Sequence, residues 1–239
     1  MRINKYLALC GVASRRKSDD LIKDGKISVN GKIITELGFD INEKKDHVTC
    51  DGREVKLASK YVYYKLNKPK GYICSASDEK GRKTIYDLVT DIDTRVFSIG
   101  RLDYNTEGLL LLTNDGTLAN RLMHPSHEVE KEYIVVIEGQ IKESELAVLR
   151  AGVMEKGKRM PKAKVQVLET NKFSTRLSVI INEGQNRQIR RMFEAIGKTI
   201  TLLKRVAIGE ITLGGLARGK YKPLNGIELD YFNRLMLGE

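Results

Sequence analysis

The sequence predicts an α+β protein in two unequal parts: a small N-terminal α/β module, then a larger, mixed and mainly antiparallel sheet with flanking helices. Three observations carry this prediction. First, 239 residues leave room for one large domain or two unequal ones, and 41% hydrophobic with 31% charged residues is the balance of a chain that can bury a core. Second, residues 1–60 read as helix, helix, then strands. Third, strands rich in Val, Ile and Leu alternate irregularly with about three helices over residues 61–239.

Ile3, Leu7 and Cys10 recur at helical spacing and Gly11 follows as a stop, which predicts a helix over residues 2–10. Ser14 is a good N-cap for a second helix, which Leu21 and Ile22 anchor and Gly25 ends. Arg15, Arg16 and Lys17 occupy its first turn, where the helix dipole disfavours cations, so an external anion such as phosphate would compensate them. Asn30-Gly31 between Ile27–Val29 and Ile33–Ile34, and Asp51-Gly52 between Val48–Cys50 and Val55–Leu57, are hairpin signatures. Lys56 to Lys60 is a polar connector, and strand-like alternation resumes from Tyr61 to Leu66, so the boundary falls near residue 60, dividing the chain into 1–60 and 61–239.

Forty-two Lys and Arg against 31 Asp and Glu give a net charge of +11, so the surface should attract a polyanion, with nucleic acid the leading class and an ordinary basic surface the alternative. The first 35 residues concentrate this charge, with eight basic and three acidic side chains. Cys10, Cys50 and Cys74 form no C-x-x-C pair, which fits neither a disulfide framework nor a cysteine zinc site and points to a reducing, cytoplasmic setting. Purely apolar runs such as Leu109–Leu112 are no more than five residues long, far short of the roughly 20 residues that span a bilayer. The N-terminus is not read as a signal peptide, because its apolar stretch is short and broken by Gly11, and Leu9 before Cys10 argues against lipoprotein processing. A metal site at His124, His127 and Glu128 is disfavoured, since Pro125 breaks helical spacing and no third ligand is evident. Gly214-Gly215 and Gly219 lack the strand-loop-helix context of a phosphate cradle. No metal and no cofactor are expected.

The segment from Gly100 to Gly108 is a polar loop feeding the apolar run Leu109–Leu112. Such a junction can hold a carboxylate rigidly at a sheet rim, where burial and a cation set its ionisation. On residue type alone Asp103, Glu107 and Asp115 all qualify.

Two resemblances sharpen this reading. MRINKYLALCGVASRRKSDDLIKDGKISVNGK closely resembles the RNA-binding module named after small ribosomal subunit protein four. That resemblance implies a two-helix face gripping RNA phosphates through Arg2, Lys5, Ser14, Arg15, Arg16, Lys17 and Lys26. GRLDYNTEGLLLLTNDG looks like the signature loop of the RsuA/RluB family of ribosomal RNA pseudouridine synthases. LNKPKGYICS (66–75), EKEYIVVIEG (130–139), NEGQNRQIRRMFEAIGK (182–198) and LLKRVAIGEITLGGLARGKYKPL agree in order and spacing.

This second resemblance implies the pseudouridine synthase fold, with Asp103 as the essential carboxylate, Tyr133 stacking on the target base, and Arg190 paired with the aspartate. Arg101, Arg187, Arg191 and Leu203 follow as substrate-binding residues, Leu203 being either the apolar wall beneath the base or simply core. Ile189, Phe193 and Ile196 form one helical face, which directs Arg187, Arg190 and Arg191 elsewhere. The implied reaction breaks the bond between uracil N1 and C1′, turns the base and rejoins it through C5, which calls for an ionised carboxylate and exclusion of water but no cofactor. Gln185, where many relatives carry a basic residue, and Asn4 depart from the family pattern. DEKGRKTIYDL and ANRLMHPSHEVEK resemble the large-subunit branch. The expected partner is ribosomal RNA or an assembly intermediate, bound by a monomer; the rivals are a small-subunit target and a non-catalytic assembly factor.

Overall fold

Helix α1 (Ile3–Leu9) and helix α2 (Arg15–Lys23) form close to where periodicity places them. Gly11 (φ +78°) and Gly25 (φ +68°) end them in the left-handed region that glycine enters without a Cβ penalty. The Ser14 hydroxyl accepts the Lys17 N–H at 3.2 Å and so caps α2. Strand β1 (Ile27–Val29) lies between β2 (Lys32–Ile34) and β3 (Val48–Cys50), both antiparallel to it, and β4 (Arg53–Glu54) pairs with β3. Asn30 and Gly31 both have positive φ, as do Asp51 and Gly52, the requirement of the two-residue turn that matches strand twist. Ile3, Leu7 and Ile22 pack on Ile27, Val29 and Val48 as one core.

The return strand of the second hairpin is Arg53–Glu54 rather than Val55–Leu57. The tight turn sets Arg53 directly opposite Cys50, so pairing begins at once, and Val55 then turns its side chain into the core while its carbonyl accepts the Tyr6 hydroxyl at 3.1 Å.

The computed structural model describes residues 1–58, 60–76 and 78–238. Its contacts group Met1–Val62 with Ile92–Val96 and Asn114–Gly116 as one compact unit, and the remainder from Tyr63 onward as a second. The Asn114 side chain accounts for part of the first grouping: it donates to the Lys60 carbonyl (3.0 Å) and accepts the Val62 N–H (2.9 Å).

The second unit contains, in order, β5 (Tyr63–Lys68), β6 (Phe97–Ile99), β7 (Glu107–Thr113), α3 (Gly116–Met123), β8 (Lys131–Glu138), α4 (Glu143–Ala151), β9 (Met154–Glu155), β10 (Lys158–Arg159), β11 (Lys164–Thr170), β12 (Ser174–Ile181), α5 (Gln188–Ala195), β13 (Ile200–Ile208), β14 (Ile211–Thr212), β15 (Tyr221–Pro223) and α6 (Gly226–Leu237). Among the described residues this unit has four α-helices where the sequence suggested about three. One of them, α3, opens on Gly116, the one residue of it grouped with the first unit and a poor helix former, so its start reads as a turn. The main sheet runs β11-β12-β8-β13-β7-β5-β15, with β14 on β13 and β6 on β7.

All pairings in this sheet are antiparallel except β13 with β7, where Arg205 lies beside Gly108. Every residue of β7 is buried. Leu109 and Leu111 join Leu118, Leu122 and Phe232 on one face, each leucine contributing roughly 1.5–3 kcal/mol by leaving water. The loop that precedes β7 is thus attached to a firmly packed strand.

Candidate active site

The loop 100–106 is held to its surroundings mainly through its backbone. The Gly71 N–H donates to the Tyr104 carbonyl at 2.9 Å, and the Cys74 sulfur exchanges contacts with the Leu102 N–H and carbonyl at 3.4 Å. Burial pushes the Cys74 thiol pKa up. Beneath the loop sits Lys68, whose side chain is fully buried. Its ammonium donates to the carbonyls of Pro69 (3.1 Å), Asp103 (3.1 Å) and Thr106 (2.9 Å). Burial pulls the Lys68 pKa down, opposed by Cys74, Asp103 and Glu107.

Sequence reading passed over Lys68, because a lysine on a strand is ordinarily assigned to solvent; its only signal was its place in the LNKPKG stretch. Lys68→Met keeps the chain length but removes the ammonium from three carbonyls, leaving the Asp103 carbonyl only the Thr106 N–H. A misplacement of about 1 Å is worth roughly 10²-fold in rate, so this variant should lose about that factor in single-turnover rate while RNA affinity measured by filter binding stays within a few-fold of wild type.

Above the loop is a cleft of about 1130 Å³, lined among others by Arg101, Asp103, Tyr133, Arg187, Leu203 and Arg205. Of the three carboxylates the sequence left open, Asp103 lines the cleft. Glu107 instead pairs with Arg218 at 3.3 Å, and Asp115 is buried in the first unit. The Asp103 side chain is one-third exposed, and Arg187 approaches its Oδ2 at 3.9 Å.

The pairing expected for Arg190 differs. Its Nη2 donates to the Asn105 carbonyl (2.8 Å) and lies 3.4 Å from the Thr106 hydroxyl, so it grips the backbone beside Asp103, and Arg187 makes the ion pair. Burial, then the Arg187 charge, lowers the Arg190 pKa, and Asp103 opposes both. Arg187 stands at the N-cap of α5 with φ +50°, a strained backbone for a residue with a Cβ. That turn takes its side chain out of the helical array on which the sequence placed it. Arg191 also departs from expectation, since it is tied to Glu155 (2.8 Å) and Gln185 (3.1 Å) and does not line the cleft. Gln185, which departs from the family pattern, is thus an internal partner of an arginine.

Tyr133 (β8) and Leu203 (β13) are both buried, 8% and 4% exposed, and both line the cleft. Arg101 is exposed at its rim without a hydrogen bond or ion pair among the described residues. Arg205, which the sequence did not single out, lies directly opposite Tyr133 across β13 and β8.

Lys131, at the start of β8, donates to the carbonyls of Val129 and Asn182, both at 2.7 Å. Burial, then the Arg205 charge, lowers its pKa from 10.5 to about 8. The folded state therefore binds fewer protons than the unfolded state between these values, so the lysine's contribution to stability improves as pH rises from about 8 to 10.5. The urea midpoint of wild type minus that of Lys131→Met should increase across that window and be flat below pH 7.

The sequence profile of the RNA pseudouridylate synthase family matches residues 62–195, more than half the chain, and that of the S4 domain matches residues 1–46. The chain is 45% identical over 230 residues to Ribosomal large subunit pseudouridine synthase B of Bacillus subtilis, covering 95% of this chain and 93% of the relative. The chain belongs to the RNA pseudouridylate synthase family. A protein of Aquifex aeolicus described as an uncharacterized RNA pseudouridine synthase is 43% identical, over 96% of this chain and 92% of the relative. A solved structure described as a pseudouridylate synthase aligns with a TM-score of 0.70 at 29% identity, covering 98% of this chain and 99% of that one.

In this synthase the residues of the S4 domain expected to grip RNA fall into two groups. Lys5, Arg15, Arg16 and Lys26 are exposed and make no side-chain hydrogen bond or ion pair among the described residues. Arg2 is engaged, with an ion pair to Asp40 (3.2 Å) and a hydrogen bond to the Gly38 carbonyl; Lys17 reaches Asp20 at 3.6 Å, and Ser14 is spent as the cap of α2. Asn4 links α1 to α2 through Asp19 at 2.9 Å. His124 caps the short turn Pro125–His127, its Nδ1 2.7 Å from the Ser126 hydroxyl. Among the described residues no helix is long and apolar enough to cross a membrane.

Proposed function

We propose that this synthase converts one uridine of large-subunit ribosomal RNA to pseudouridine, with residues 61–239 as the synthase domain and residues 1–60 presenting RNA to it. The carrying observation is the Asp103 carboxylate, set in the cleft by a loop whose backbone Lys68 and Arg190 hold, with Arg187 beside it. Asp103 attacks or deprotonates the target nucleoside as the N1–C1′ bond breaks. Tyr133 stacks on the freed base and Leu203 walls its other side, so the base turns without leaving the cleft and rejoins C1′ through C5. The C5 proton departs and N1 gains one. The exchange of a C–N for a C–C bond is redox-neutral overall and needs no oxidant or reductant; the reading includes no organic cofactor and no metal.

The burial of Tyr133 and Leu203 supports exclusion of water, which would otherwise trap the detached sugar. Flipping the base out of its stack costs a few kcal/mol, offset by phosphate contacts from Lys5, Arg15, Arg16, Lys17 and Lys26, and by Arg101 at the cleft rim. Arg2 and Ser14 serve this surface by holding its backbone. The large-subunit target is supported by the names of the relatives from Bacillus subtilis and, at 38% identity, Vibrio cholerae. The enzyme acts in the cytoplasm as a monomer.

The test is tritium release from RNA labelled at uridine C5, with large- and small-subunit RNA supplied separately. Release from the large-subunit RNA alone is expected. Release from the small-subunit RNA alone would reverse the target, and tight binding without release from either, as naked RNA or as assembly intermediates, would favour an assembly factor.

A further inference from the structure

Arg205 is a buried cation with too few partners. It is 5% exposed; its Nε donates to the Leu109 carbonyl at 2.8 Å, and its Nη1 reaches only 3.5 Å from the Tyr133 hydroxyl. Nη2 is shielded from solvent and has no hydrogen-bond partner. Among the described residues no carboxylate makes an ion pair with it. A buried guanidinium in this condition gives up hydration that its few contacts do not replace, and native proteins rarely leave such donors unmade without a use for them.

The main chain at Arg205 is closely packed. Arg205 lies beside Gly108 in the parallel pairing of β13 with β7, an approach so close that a Cβ on Gly108 would stand 2.1 Å from the Arg205 carbonyl oxygen. On its other side it faces Tyr133, and it lines the same cleft as Tyr133 and Asp103.

We propose that Arg205 is a further catalytic residue, whose guanidinium donates to a carbonyl oxygen of the target uracil and stabilises the negative charge that the base carries midway through the reaction. This rests on the uridine isomerisation proposed above. When the N1–C1′ bond breaks, its electron pair stays with the base and is delocalised from N1 onto O2 and O4. If Asp103 adds to C6 instead, the C5–C6 pair moves towards C5 and O4. Either route places charge on a carbonyl oxygen, and formation of the C5–C1′ bond with loss of the C5 proton consumes it. A fixed donor in a water-poor site acts most strongly on charge that develops only during the reaction, and a contact as long as 3.5 Å can tighten once substrate is bound.

The test compares wild type, R205Q and R205K under single-turnover conditions, on RNA carrying uridine or 5-fluorouridine at the target. Consumption of the target nucleoside is read by chromatography after digestion, alongside RNA affinity and melting temperature. Fluorine withdraws electron density and stabilises the anion by itself. R205Q should lose roughly 10²–10³-fold in rate on uridine, with affinity within threefold of wild type, and the loss should shrink at least about tenfold on 5-fluorouridine. R205K, which keeps the charge on a shorter reach, should fall between the two with the same dependence on the base, and it carries the test if R205Q does not fold. Equal losses on both bases, or a rate loss matched by a fall in affinity, would overturn the proposal and make Arg205 a packing residue. Wild-type protein that consumes neither nucleoside would overturn the isomerisation reading itself.

Discussion

Replacing Asp103 by Asn should abolish turnover while leaving RNA affinity within a few-fold of wild type. The substitution is isosteric, and the contacts that hold the loop, from Lys68 and from the Thr106 N–H, go to the Asp103 backbone carbonyl, which Asn retains. The Arg187 pair, at 3.9 Å between partly exposed groups, is worth roughly 0–1 kcal/mol, so its loss does not threaten the fold. What disappears is the charge that attacks or deprotonates the nucleoside, and the rate should fall by at least roughly 10³-fold. Filter binding gives the affinity, and nucleoside chromatography after digestion gives the turnover. Activity within tenfold of wild type would remove Asp103 from the chemistry.

The second large effect is structural. Gly108 has φ +106°, and a Cβ there would lie 2.1 Å from the Arg205 carbonyl oxygen and 2.8 Å from its nitrogen. Because both obstacles are backbone atoms, no side-chain rotation relieves them. Left-handed strain of roughly 1–3 kcal/mol and overpacking of a similar size put Gly108→Ala at about 2–6 kcal/mol destabilising, against a typical total of about 5–15 kcal/mol. A melting temperature lower by roughly 5–20 °C follows, and any folded fraction should show a rate loss larger than its loss of RNA affinity, because displacement of β7 moves both the Asp103 loop and Arg205. A melting temperature unchanged by this substitution would mean that the parallel junction is looser than described.

The parts of this structure readable from sequence are those fixed by local chemistry. Asn30-Gly31 and Asp51-Gly52 mark their turns because few other pairs tolerate two successive positive φ values, and Ser14 marks the start of α2 because a hydroxyl is needed there. The resemblances led to Asp103, Tyr133 and Leu203, which the fold gathers around one cleft, whereas residue type alone left Glu107 and Asp115 equally eligible. What escaped were buried cations. Lys65, Lys68 and Arg205 would ordinarily be assigned to solvent, yet Lys65 is buried in an ion pair with Glu228, 163 residues away, and the partners of Lys68 and Arg205 are backbone carbonyls that no side-chain pattern announces. For the arginines, the resemblance gave the aspartate's pair to Arg190 and helical spacing treated Arg187, Arg190 and Arg191 as one array, but α5 begins only at Gln188. Arg187, in a left-handed turn outside it, meets the aspartate, while Arg190, inside the helix, holds the loop.

Uridine isomerisation at Asp103 is tested most directly by counting products at the target nucleotide: tritium released from C5, and pseudouridine recovered after digestion, from the same RNA treated in the presence of a metal chelator. The mechanism predicts one tritium released for each pseudouridine formed by the unmodified protein and neither from Asp103→Asn. Pseudouridine formed by the Asp103→Asn protein, or none formed by the unmodified protein on any ribosomal RNA or assembly intermediate, would contradict it.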